Sequence, residues 1–321
     1  MSYHRGLLFW GLALITGGAV ALAAQQGYLN RDLLAGAWRL WPLILVAIGL
    51  SIMLSRTRAA IVGTIVAALI VGTAGGALIA VGPGSFACGG ADPTNLVTRH
   101  GNFGGDASVK LDFNCGTLKV GMADGNQWTL AGGQTGGAAA QVTADAGRLE
   151  VRSRQPDSWF NEGRQRWNVT LPRTPAYKLE ISPNAADASV DLGGGTFTSV
   201  SIHPNAGSIS VDLSGAQVDN LDLSLNAGSA SILIGSGTEL TGSLSVNAGS
   251  IELCTAGDVA LRITSDPNLT FSTNLDKSGL AKSSFMNAWS TAGYSAAPKK
   301  VEIKLSGNAG SFTLNPEGGC K

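Results

Sequence analysis

Hydrophobic positions follow two different rhythms along this chain. In its first quarter they run almost unbroken through "GLLFWGLALITGGAVALAA" (6–24), "WRLWPLILVAIGLSIML" (38–54) and "AAIVGTIVAALIVGTAGGALIAV" (59–81). Beyond that they alternate with polar residues in short runs punctuated by Gly, Ser and Asn. A helix needs about 20 apolar residues to cross the hydrocarbon of a bilayer. The first and third stretches therefore predict transmembrane helices, and the shorter second predicts another, anchored at the interface by Trp38 and Trp41. The first also admits a second reading, a cleaved signal peptide ending at "ALAA" before Gln25. The predicted organisation is a helical membrane region over 1–83, a linker over 84–100 and an all-β domain over 101–321.

Basic residues in the short loops set the orientation. Arg5 precedes the first stretch, and Arg56 with Arg58 separates the second from the third. The intervening loop carries Arg31, Asp32 and Arg39. This bias places the amino terminus on the cytoplasmic side and, after three crossings, everything beyond Val81 outside. The expected location is a multi-pass membrane protein with an extracytoplasmic domain. The "GTAGG" at 72–76 permits close helix packing.

The alternating region repeats. Asn184, Asn205, Asn226 and Asn247 follow one another at intervals of 21 residues, in the corners "NAAD", "NAGS", "NAGS" and "NAGS"; the last returns at Asn308, and an "NCG" variant stands at Asn114. Leu221, Leu223 and Leu225 share one face before a corner, whereas Ala230, Ile232 and Ile234 share one after it, so burial parity slips by one. An uninterrupted strand cannot keep one face buried through such a slip. A turn can, with Asn or Gly taking the positive-φ position. Two short strands per 21-residue unit, clearest over 184–254, predict a stack in which each unit buries its apolar side against its neighbours. The expected fold is β-solenoid-like, with a twisted antiparallel β-sandwich as the alternative.

Composition narrows the chemistry. The 22 basic and 22 acidic residues cancel, with only 14% of side chains charged, which argues against the concentrated basic surface of a nucleic-acid binder. No nucleophile motif, phosphate loop or zinc-ligand spacing is present, so no catalytic, cofactor or metal residue is assigned and the expectation is a non-enzyme. Asp191 and Asp212 occupy equivalent strand positions, but no third acidic ligand recurs, which favours two solvated carboxylates over a calcium site. The four cysteines, an even number in an exported Gly-rich domain, lead to an expectation of two disulfides. The pairing Cys88–Cys115 with Cys254–Cys320 is preferred among three, and free buried thiols are the alternative.

Two segments interrupt the repeat. In 155–181, Trp159, Phe160, Arg164 and Arg166 suggest a ligand-facing patch for a glycan or lipid headgroup, while Trp167 reads as a plug for the end of the stack. In 283–300, Phe285, Trp289 and Tyr294 lie in a loop that either binds, with Trp289 as its anchor, or covers an exposed edge.

The first two apolar stretches, with "WPLILVAIG" in the second, resemble the membrane module of LiaI/LiaF-like bacterial cell-envelope stress proteins. The run "RWNVTLP…YKLEISPNAADASVDLGG…VSIHPNAGSISVDLSG" resembles adhesin-like, or toast-rack, β-repeats, with Asn replacing the first glycine of a "GAG" corner. The resemblance implies a non-enzymatic envelope protein that scaffolds or senses for a membrane or envelope partner. The alternative is a surface adhesin or glycan-binding module, for which an aromatic-lined groove at Trp159 or Trp289 is expected.

Overall fold

The computed structural model describes residues 5–25, 65–73, 93–134, 140–154, 163–266, 272–283, 287–317 and 319. The chain divides into two units, Met1–Gly89 and Gly90–Lys321.

The first unit contains α1 (Arg5–Gln25) and a second helix over 65–73. α1 covers the first apolar stretch and exposes Trp10, Leu14 and Ile15. The helix over 65–73 falls within the third stretch; the 38–54 stretch lies outside the described residues. Taken alone, no helix among the described residues is long and apolar enough to cross a membrane. The two helices approach closely at Gly72, where a Cβ would meet the Ala13 carbonyl oxygen at 2.5 Å and Thr16 Oγ1 at 2.6 Å. Small residues allow this approach, and Ala13, Ala67 and Ala68 are buried beside it.

The second unit is a strand-rich repeat domain. It begins with β1 (Val97–Asn102), β2 (Ala107–Ala123), β3 (Gln127–Gln134), β4 (Gln141–Asp145), β5 (Arg148–Arg152) and β6 (Gln165–Pro172). The regular repeat follows as β7 (Ala176–Asp191), β8 (Thr196–Ile202), β9 (Ala206–Asp212), β10 (Gln217–Ile234) and β11 (Glu239–Thr255). The chain ends in β12 (Leu261–Ser265), β13 (Ser272–Thr273), β14 (Ala281–Lys282), β15 (Ala288–Ser290) and β16 (Val301–Leu314).

Pairing through the middle is parallel and in register with the sequence period. Leu221 lies beside Val200 on one side and Gly242 on the other, and Ser229 lies between Ser208 and Ser250. Antiparallel pairs join β1 to β3, β3 to β6, β4 to β5, β12 to β15 and β14 to β15, towards the ends of the strand order. Segments before and after each corner send alternate side chains into one core. Leu221, Leu223, Leu225, Ala230, Ile232 and Ile234 are all buried there, so the parity slip is real.

The corner itself differs from the expected break between two strands. β10 and β11 each run through it without interruption, and pairing continues at Ala227 with Ala248 and Gly228 with Gly249. The bend is concentrated at one residue, Gly228, with φ +119°. A Cβ there would also meet the Gly207 carbonyl oxygen of the preceding unit at 2.0 Å. Glycine therefore answers two demands at once, backbone conformation and close stacking. Asparagine does not share the first demand: among the described residues only Asn315 is a non-glycine with positive φ.

The expectation of two disulfides is corrected only as far as the described residues reach. No Sγ–Sγ pair forms among the described residues. Cys115 is in register with Ala185 and Cys254 with Leu233, positions far apart along their strands, so these two cannot bond to each other. Cys88 and Cys320 lie outside the described residues, and neither described cysteine is a free thiol.

Candidate functional site

Beyond each corner, residues that alternate with the buried ones point outward. Parallel stacking sorts them into rows. One row runs Thr117, Asp187, Ser208, Ser229, Ser250 and Ser311. The next runs Lys119, Ser189, Ser210, Ser231, Glu252 and Thr313. Between Lys119 and Glu252 they line an open groove of about 460 Å³ crossing β2, β7, β9, β10 and β11. Six of its thirteen lining residues carry hydroxyls, with Leu118, Ala188, Ile209 and Ala230 beneath. Ser208 donates to Asp187 Oδ1 at 2.7 Å, which holds that carboxylate against the wall. The short side chains keep the groove shallow, and Lys119 and Glu252 bound it with opposite charges.

The asparagines lie along the corner edge of this face. Asn184 donates from Nδ2 to Asn114 Oδ1 at 3.1 Å, Asn205 to Asn184 at 2.6 Å, and Asn226 to Asn205 at 2.7 Å. Asn247 donates to Asn226 at 2.8 Å and Asn308 to Asn247 at 3.3 Å. Six amides thus form one ladder in which each interior residue both donates and accepts. Asp191 and Asp212 are adjacent in register, and each accepts a backbone N–H two residues on, from Gly193 at 2.9 Å and Ser214 at 2.8 Å. They shape turns. No group of three or more His, Cys, Asp and Glu is arranged for a metal among the described residues.

Of the proposed aromatic–arginine patch, Arg164, Arg166 and Trp289 are among the described residues. Trp159 and Phe160 lie outside the described residues. Arg164 is half-buried and engaged. Arg166 is in register with Thr117, one strand beyond the groove. Trp289 sits at the opposite end of the strand order and is 6% exposed. Its indole donates to Asp276 Oδ1 at 3.0 Å, and the Lys282 ammonium lies 5.1 Å from its ring centroid. Hydrogen bonds from Lys282 and then Trp289 hold the Asp276 carboxyl below its usual range. Trp289 therefore covers the core instead of presenting a ring to a ligand. Trp167 is buried against Phe113, rings edge to face at 4.9 Å. Nearby, the buried Tyr177 hydroxyl donates to the Pro172 carbonyl at 2.6 Å, and burial raises its pKa well above the usual tyrosine range.

The groove serines were not singled out in the sequence. Their trace there is the polar–apolar–polar triplet after each corner, "DAS", "SIS", "SAS" and "SIE". Such triplets on their own describe any half-buried strand.

Residues 8–53 match the LiaI-LiaF-like transmembrane region, and residues 104–235 match the N-terminal domain of toast_rack. Residues 8–53 are a LiaI-LiaF-like membrane region, fused to a toast-rack domain over residues 104–235. No curated protein matches it. Among solved structures, a candidate cell adhesion protein from Clostridium sporogenes is 13% identical over 68% of this chain and 98% of that one, with a TM-score of 0.40. A candidate adhesin from Bacteroides fragilis is 14% identical over 70% of this chain and 100% of that one, with a TM-score of 0.24. The toast-rack match runs from β2 to β10, and the membrane-region match covers most of α1. The protein is thus membrane-associated and carries a toast-rack β domain.

Proposed function

We propose that the protein is a membrane-tethered adhesin-like binding module whose toast-rack domain stands outside the cell as a β-solenoid. The observation that carries this reading is the groove, a broad and shallow surface edged with hydroxyls and built on a rigid stack. The parallel 21-residue register supports a solenoid over an antiparallel sandwich. The basic residues Arg5, Arg56 and Arg58 support the outward orientation. A scaffold or sensor of envelope stress fits the same fold, but it requires no groove of this kind.

The test is co-sedimentation of the full-length protein, reconstituted in nanodiscs, with isolated envelope polymers, paired with protease accessibility in intact cells. Saturable co-sedimentation and cleavage of the β domain without lysis are expected. Failure to bind any envelope fraction, or cleavage only after lysis, overturns the reading.

A further inference from the structure

We propose that the groove binds an uncharged, extended polysaccharide whose chain runs along the stacking axis. This rests on the adhesin-like reading above and names its ligand class.

Adjacent strands lie about 4.8 Å apart, so the five strands from β2 to β11 span roughly 19 Å. Hydroxyl pairs stand on two of the five strands, Ser208 with Ser210 and Ser229 with Ser231, and single hydroxyls stand on two more, at Thr117 and Ser189. Each serine hydroxyl donates one hydrogen bond and accepts others, as sugar hydroxyls do, and the strand spacing approaches the length of one pyranose unit in an extended glycan.

Two further observations select among polymers. The groove is lined by one cation, Lys119, against two anions, Asp187 and Glu252, which disfavours a polyanion. Backbone N–H and C=O groups of these strands are used in the parallel ladder, so a peptide has no edge to extend on this face. No aromatic ring lines the groove, so affinity accumulates from many hydroxyl contacts along a chain, and short sugars bind weakly.

The experiment is titration of the full-length protein in nanodiscs with cellohexaose and with chitohexaose, in three forms. These are the unmodified chain, a Ser210→Val/Ser231→Val variant in the groove, and a Ser201→Val/Ser224→Val variant on strands before the corner. Valine suits a strand and replaces each hydroxyl with two methyl groups, the same change in bulk at both pairs of positions. Matching thermal unfolding of all three establishes that they are folded. The expected result is binding of at least one hexaose, weakened at least tenfold by the groove substitutions and unchanged by the others. Equal binding by all three forms overturns the groove as the site. Absence of hexaose binding, while the protein still co-sediments with envelope polymers, overturns the glycan class and leaves the adhesin-like reading standing. Stronger binding of polyphosphate than of either hexaose also overturns the proposal.

Discussion

Asn226 donates to Asn205 across the stack at 2.7 Å and accepts from Asn247 at 2.8 Å, linking three repeat units through one exposed amide. The ladder gives these residues a role beyond shaping a turn. Asn226→Ala removes both bonds, and at about 1 kcal/mol per neutral hydrogen bond it is expected to destabilise the domain by about 1–2 kcal/mol. Asn114→Ala, at the other end of the ladder, removes the 3.1 Å bond from Asn184 and is expected to cost less. Chemical denaturation of both variants checks the order; equal costs would deny that the ladder contributes.

Gly228 combines a φ of +119° with a Cβ position 2.0 Å from the Gly207 carbonyl oxygen. Gly228→Ala is expected to cost about 3 kcal/mol or more, because neither the backbone nor the neighbouring unit can yield alone. Gly257 has open space around its Cβ position, so Gly257→Ala is the matched control, with an expected change within about 0.5 kcal/mol. Thermal unfolding of the pair measures the difference.

Trp167 is buried beside Phe113 and fills the end of the core near β6. Trp167→Ala is expected to lose about 3–5 kcal/mol through lost burial and the cavity left behind. Trp167→Phe retains part of the edge-to-face contact and is expected to lose less. Denaturation midpoints with the slope held in common test this ranking.

Tyr294 is pushed up to about 12, first by burial and then by its hydrogen bond to the Glu302 carboxylate. Its folded-state pKa lies above the unfolded one, so its contribution is fully present below about pH 10 and is lost as pH rises towards 12. The buried Tyr177 is shifted in the same direction and adds to that loss. Stability is therefore expected to fall across the same window, as read by denaturation at a series of alkaline pH values. Glu302→Gln removes the carboxylate and is expected to lower the Tyr294 titration midpoint, followed by phenolate absorbance. An unmoved midpoint would contradict the assigned contact.

Much of the domain was legible in the chain. The 21-residue interval anticipated the inter-strand register, and the shift from Leu225 to Ala230 anticipated a positive-φ residue at the corner. Both rest on local rules: alternation buries every second residue, and a parity slip has to be absorbed by a turn. Trp167 as a core plug also followed from its position at the head of an apolar strand. Trp289 was harder to place, because sequence gives an aromatic in a loop no preference between solvent and core. Asp276, whose carboxylate receives its indole N–H, lies 13 residues earlier.

The sequence by itself determined the repeat unit, its buried face and the position of each corner, since those depend on residues a few places apart. Only the tertiary structure decided that the asparagines join into a ladder and that the outward serines line one groove. Those features depend on which side chains stand next to one another across strands. Parallel register brings together residues 21 positions apart for much of the stack, but 70 positions apart from Asn114 to Asn184 and 61 from Asn247 to Asn308. No local pattern encodes those longer steps: they follow from where the intervening chain folds aside and how the core packs when it returns.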